Sequence, residues 1–384
     1  MTGGRPSVTR LEHVALAINK LSLGGSEKQL VLLARGLRSR GVRVTVVSLY
    51  GGGPREAELR DAGVEVYDAG LGRLRDGPRR SLRSPAAFLR LVRWFRRERP
   101  QVVHAFLYHS YVVATLAART AGVPVVVAGR RSMGTFKEGR PLSLTLERVV
   151  NRMTDLVVAN CEAVAREVLR QEGLPPDKLV VIHNGVPPPP PSAAPAPGPA
   201  GRSPVVLCVA NLMPYKGHGD LLAAAERLHH RGVRFTLVLV GDGPARAELE
   251  AQAERTGADV RFLGPRDDVP ALMAGADVVV LPSLTEGLSN AVLEAMAAGR
   301  PVVATDVGGT REALGDAGVL VSPGSPGELA DGLGGVLGDR EAALRLAARA
   351  RERVASLFSV DVMVERHVEL YESLVARCAG SSGT

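Results

Sequence analysis

The segment with the densest chemistry is Pro282-Ser283-Leu284-Thr285-Glu286-Gly287-Leu288-Ser289-Asn290-Ala291-Val292-Leu293-Glu294. Its pattern predicts that Gly287, Leu288, Ser289 and Asn290 form a loop and the first turn of a helix, whose N–H groups can point at an anion. A carboxylate would repel that anion, so Glu286 and Glu294 need a different partner. Sugar hydroxyls suit them, because an ionised carboxylate only accepts hydrogen bonds. Glu294, one turn beyond Asn290, could reach a ribose, and Glu286, before the helix, a second sugar. The plain alternative is that both acids only offset the helix dipole. A second candidate is the loop Asn211-Leu212-Met213-Pro214-Tyr215-Lys216-Gly217-His218, in which Lys216 is the only lysine after Lys178 in a chain with 43 arginines and five lysines. A compact ammonium suits a point contact to a phosphate oxygen. A third is Leu23-Gly24-Gly25-Ser26-Glu27, where Gly24 and Gly25 would let backbone and helix N-terminus approach a phosphate. It is not G-x-G-x-x-G, and no Walker A sequence exists, which argues against NAD and simple P-loop chemistry.

These loops need strands behind them and helices ahead. Short β-branched runs at Val14–Asn19, Val42–Leu49, Val64–Tyr67, Val102–Phe106, Val125–Ala128, Leu156–Ala159 and Leu179–His183 alternate with helical patterns. After a break the pattern resumes with Val205–Val209, Phe235–Val240, Val260–Leu263, Val278–Leu281, Val302–Ala304 and Val319–Val321. Apolar strands with little alternation, each followed by a helix, predict parallel sheets covered on both faces. The expected fold is α/β: two Rossmann-like doubly wound domains facing across a cleft, with ligands outside the carboxyl ends of the strands. The expected division is 1–186, a linker 187–204 holding nine of the 26 prolines, 205–358, and a C-terminal helix and tail 359–384 that could pack back on the first domain. His104, Tyr108 and His109 lie at or just after the end of the fourth predicted strand, where cleft residues belong; each also reads as a structural residue. Cys161 is expected to pack as a small apolar group.

At 384 residues the chain is long enough for two sizeable cores. Residues 1–185 hold 30 Lys+Arg against 16 Asp+Glu, whereas 186–384 hold 18 against 24, so the halves are expected to face different partners. Aromatics are 4% of the chain, which argues against a base-stacking nucleic-acid platform despite the net charge of +8. Three widely spaced cysteines, with no secretory-type N-terminus and no apolar run near 18 residues, predict a cytoplasmic protein.

The run EGLSNAVLEAMAAGRPVVATDVGG, with ANLMPYKGH, LVLVGDGP, FLGPRDDV and ADVVVLPS before it and LGGSEKQL and HNGV in the first half, resembles the family-4 retaining glycosyltransferases of the GT-B fold. The resemblance covers nearly the whole chain and is strongest in 205–325. It implies transfer from a nucleotide-sugar to a glycan, lipid-linked or small-molecule acceptor, with retention, no cofactor and no metal. The sequence also lacks Asp-x-Asp; Asp267 and Asp268 are adjacent. By resemblance, Lys216 would hold the diphosphate, Glu286 the donor sugar, Gly287 to Asn290 the phosphates and Glu294 the ribose. Gly25 would approach the diphosphate from the other domain, and the backbone near Arg266 would meet the nucleobase. The chain departs from many relatives at Ala210-Asn211, where they carry Gly-Arg, and at Arg130, where they carry His. Arg130 cannot act as a base but could hold a donor or acceptor phosphate. Two alternatives remain: a non-catalytic sugar-nucleotide-binding protein and a sugar-nucleotide epimerase.

Residues 73–99 hold ten arginines against Asp76 and Glu98, with Phe88, Leu91, Val92 and Phe95 at helical spacing and Trp94, the only tryptophan, among them. This segment predicts a basic helix on an anionic membrane with an aromatic anchor, or an ordinary amphipathic helix of the domain.

Overall fold

The computed structural model describes residues 10–72, 85–134, 141–189 and 203–381. They divide into two units, one containing Met1–Gly185 and Val360–Thr384, the other Val186–Ser359.

The first unit is built on a seven-stranded sheet: β1 His13–Ile18, β2 Arg43–Ser48, β3 Glu65–Asp68, β4 Val102–Phe106, β5 Val125–Arg130, β6 Leu156–Ala159 and β7 Leu179–Val181. The order is β3-β2-β1-β4-β5-β6-β7, with every pairing parallel. The chain reverses its winding between β1 and β4, and ligands of such sheets bind at the carboxyl edge there. Both faces are covered, so β1 is buried at all six positions, and near-continuous apolar runs satisfy such strands. Helix Val360–Ser381 belongs to this unit: Val364 packs so closely on Gly36 that a Cβ there would lie 2.4 Å from it, and Arg40 pairs with Asp361 at 3.6 Å. The first unit ends one residue earlier than the expected 186: Val186 belongs to the second unit, where its N–H donates to the Phe358 carbonyl and it bridges to Ser359.

The second unit has six parallel strands, β8 Val205–Val209, β9 Thr236–Val240, β10 Asp259–Gly264, β11 Val278–Leu281, β12 Val302–Thr305 and β13 Val319–Val321, in the order β10-β9-β8-β11-β12-β13. Its reversal falls between β8 and β11, the strands that precede the two candidate donor loops.

The membrane segment divides. Residues 73–84 lie outside the described residues, while Pro85–Glu98 is a helix. Here the aromatic-anchor expectation is corrected. Trp94 is 6% exposed and stacks on Tyr67 with ring centres 4.6 Å apart; Leu91, Val92 and Phe95 are buried with it. Burying the large apolar face in the unit's core leaves Arg90, Arg93, Arg96 and Arg97 outside, the ordinary pattern of a sheet-covering helix. Among the described residues no helix is long and apolar enough to cross a membrane.

Candidate functional site

Three loops meet at the carboxyl edge of the second unit's sheet. After β8 the chain forms a 3-10 turn, Pro214–Lys216, ended by Gly217 at φ +69°. A Cβ on Gly217 would lie 2.0 Å from the Pro282 carbonyl, so only glycine brings this turn against the loop after β11. The Leu284 N–H donates to the Tyr215 carbonyl at 2.8 Å, joining the two loops. The third loop follows β12: the Gly309 N–H donates to the Gly287 carbonyl at 2.7 Å, and the buried Thr305 hydroxyl donates to the Ser283 carbonyl at 2.5 Å.

This stitching brings Lys216 and Glu286 together. Lys216 Nζ lies 2.5 Å from Glu286 Oε1, and the same oxygen accepts from the fully buried Ser283 hydroxyl at 2.8 Å. Both charged side chains are mostly shielded, at 16% and 11% exposure. Partial burial strengthens the pair relative to a surface salt bridge and fixes both head groups. Ser289 caps the helix Asn290–Ala297, its hydroxyl accepting from the Val292 N–H. Gly287, Leu288 and Asn290 thus lie where the sequence pattern placed them, at the opening of that helix, with part-buried Glu294 one turn on. Asn211 is exposed in the first loop. Arg266 is exposed after β10, in an ion pair with Asp268 at 2.7 Å.

Gly308 tests how tightly these loops must fit. It sits at φ +54°, and a Cβ there would lie 2.0 Å from the Glu286 carbonyl. Gly308→Ala is expected to displace Glu286 and lower turnover at least tenfold. Gly324→Ala, at φ +69° with nothing within 4 Å, should show only the left-handed strain of about 1–2 kcal/mol. Equal turnover in the two variants would show that the Glu286 loop does not need this contact.

The first unit treats its predicted residues differently. Gly24 and Gly25 lie where β1 gives way to helix Gly25–Ser39. His109 and Tyr108 open helix Tyr108–Ala121 at the same edge; the Tyr108 hydroxyl donates to the Ser143 carbonyl, and burial lowers the His109 pKa. His104 does not face a ligand site, which corrects the expectation. It is 0% exposed, shares a 2.6 Å hydrogen bond with the Tyr371 hydroxyl, stacks on Phe106, and is held well below its ordinary pKa by burial. It is a core histidine joining β4 to the last helix.

Arg130 requires a second correction. Its side chain is 5% exposed and turned into the unit, where the guanidinium bonds Glu172 through Nε and Nη2, donates to Asn151 at 2.7 Å, and lies 3.3 Å from Glu147. Its carbon centre sits 3.8 Å over the Tyr111 ring. The guanidinium is committed to internal carboxylates, so it is not placed to hold a phosphate. Helix Pro141–Met153, which carries Glu147, escaped the sequence reading, although proline at a first helical position was a usable signal.

Glu147 and Glu172 lie close together in a buried place beside the Arg130 guanidinium. Burial and the neighbouring Glu172 raise the Glu147 pKa, so Glu147 keeps its proton in the folded protein. An unfolded chain releases that proton near the ordinary value of about 4.3. Stability is therefore fully present below that pH and falls as pH rises toward the folded pKa. Glu147→Gln, which imitates the protonated acid, should match wild type at about pH 4 and exceed it increasingly as pH rises toward 9. Thermal unfolding midpoints check this; parallel profiles would mean Glu147 is ionised in the fold.

Two Rossmann-like units, the second with a cation–carboxylate pair over the reversal point of its sheet, define the GT-B class. The HepE protein of Anabaena, solved in complex with UDP-glucose, superimposes with a TM-score of 0.81 at 25% identity, covering 94% of this chain and 99% of that one. Residues 203–339 match the family described as Glycosyl transferases group 1, and residues 23–188 match Glycosyltransferase Family 4. A 2-deoxystreptamine glucosyltransferase of Streptomyces kanamyceticus is 29% identical, over 91% of this chain and 99% of its own length. A 2-deoxystreptamine N-acetyl-D-glucosaminyltransferase of Streptomyces fradiae is 30% identical, over 94% and 93%. The chain belongs to the family-4, group 1 glycosyltransferases.

Proposed function

We propose that the chain transfers a glycosyl group from a uridine diphosphate sugar to an acceptor hydroxyl, with retention at the anomeric carbon and without a required metal. The observation that carries this reading is the Lys216–Glu286 pair held beside the opening of helix Asn290–Ala297. As the glycosidic bond to the diphosphate breaks, negative charge grows on the leaving phosphate. Lys216 is a fixed cation for that charge, and the helix N-terminus adds its dipole. Glu286 accepts hydrogen bonds from the sugar and faces the positive charge that develops at its anomeric carbon. Lys216 supplies the cationic help that a divalent ion would otherwise give. No protein base is assigned: the acceptor proton passes to a donor phosphate oxygen on the face that the leaving group vacates, which accounts for retention. The HepE complexes with UDP and UDP-glucose support the uridine donor.

The test is transfer from UDP-glucose to a panel of polyol and aminocyclitol acceptors, with the product linkage read by proton NMR. Formation of an α-linked product, unchanged by EDTA, is the expected result. A β-linked product would overturn retention, and loss of activity with EDTA would overturn the metal-free reading.

A further inference from the structure

Adjacent residues at the end of β5 point to opposite faces of the sheet. Arg130 turns inward toward Glu147 and Glu172, and Arg131 turns the other way. Arg131 Nη2 donates to Asn184 Oδ1 at 2.5 Å, and its carbon centre lies 5.3 Å from the centre of the Phe106 ring. The other groups that sense its charge are Tyr371, Cys161, His104 and His367. Burial holds both histidines below their ordinary pKa, His367 at about 4, so neither is charged at neutral pH. Among the described residues no carboxylate pairs with this guanidinium. Arg131 is part-buried, and that burial lowers its pKa to about 10. A part-buried guanidinium with no carboxylate partner among the described residues can present its N–H groups to an incoming anion. Arg131 directly follows β5, on the carboxyl edge that also carries Gly24, Gly25, Tyr108 and His109, where sheets of this kind meet their ligands.

We propose that Arg131, with Asn184 orienting it, forms a phosphoryl-binding site at the carboxyl edge of the first unit's sheet. The planar fork matches two phosphoryl oxygens, and one of its nitrogens is already fixed by the Asn184 amide. The phosphoryl group comes from one of two sources, the diphosphate of the donor or a phosphorylated acceptor. Only this choice of source rests on the proposed transferase reading; the site itself does not.

The experiment uses the full chain with inorganic phosphate as the probe. Lys216→Ala serves as background, so that the ammonium of the second unit does not contribute. Phosphate is titrated at constant ionic strength, and the thermal unfolding midpoint is followed. A saturable rise is expected in this background. Adding Arg131→Gln should weaken the apparent affinity by roughly tenfold or more, the range for a hydrogen bond to a charged group. Arg131→Lys should recover part of it, and Arg93→Gln, an exposed arginine on the helix Pro85–Glu98, should change nothing. No phosphate response, or one that Arg131→Gln leaves intact, overturns the proposal. If Arg131→Gln unfolds the protein, Arg131→Lys decides: unchanged phosphate affinity overturns the proposal, and weakened affinity in a folded protein supports it. Repeating the wild-type titration with saturating UDP assigns the source. A response that persists identifies an acceptor phosphate, and one that disappears identifies the donor diphosphate. Failure of UDP itself to bind would count against the transferase reading and leave the phosphate result standing.

Discussion

Lys216→Ala is expected to reduce turnover with the nucleotide-sugar by roughly 10²–10³-fold, the range for removing one preorganised donor to a developing negative charge. Donor affinity should also fall if the ammonium, as proposed, meets the diphosphate in the ground state too. The fold should survive: Lys216 lies on a short surface turn, and Glu286 keeps its hydrogen bond from Ser283. Lys216→Arg should recover only part of the loss. The broad guanidinium does not fit the point where Nζ sits 2.5 Å from Glu286 Oε1. Steady-state kinetics on the three proteins check this, and wild-type kcat/KM in the alanine variant would remove Lys216 from the site.

Glu286→Gln should separate binding from chemistry. The amide keeps the size of the side chain and can still accept from Ser283, but it loses the charge. If Glu286 supports positive charge that exists only as the sugar–phosphate bond breaks, kcat should fall by about 10²-fold or more while KM for the donor changes little. The variant also leaves Lys216 without its carboxylate partner. A nucleoside diphosphate without sugar should therefore bind at least as well as to wild type. A variant with unchanged kcat and only a lower melting temperature would reduce Glu286 to a dipole-offsetting residue.

The sheets were legible because strands buried on both faces must be apolar at every position; Val278–Leu281 and Val302–Thr305 have no polar side to confuse the reading. The loops around Lys216 and Glu286 were legible because glycine at Gly217 and Gly287 and an isolated lysine among arginines are local signals. Their mutual contact was not: it spans 70 residues of sequence and depends on the order β8-β11 in the sheet. Which way a side chain turns at the end of a strand was equally hidden. Arg130 and Arg131 are identical in sequence terms, and only the acids on helices Pro141–Met153 and Glu162–Glu172 decide that the first turns inward. His104 and Trp94 were misread for one reason: a polar or aromatic residue at a site-like position can be satisfied internally, His104 by Tyr371 and Trp94 by Tyr67. Those partners come from distant parts of the chain and leave no local mark.

In the proposed reading, Lys216 and its neighbours form a site for a uridine diphosphate group. The most direct measurement is the thermal stability of wild type and Lys216→Ala with UDP, GDP, ADP and dTDP. UDP at a hundredfold excess over its dissociation constant should stabilise wild type by roughly 2.7 kcal/mol. The other three should do less, and Lys216→Ala should lose most of the UDP effect at the same concentration. Equal stabilisation of both proteins by UDP, or no stabilisation of wild type by any of the four, would contradict the claim.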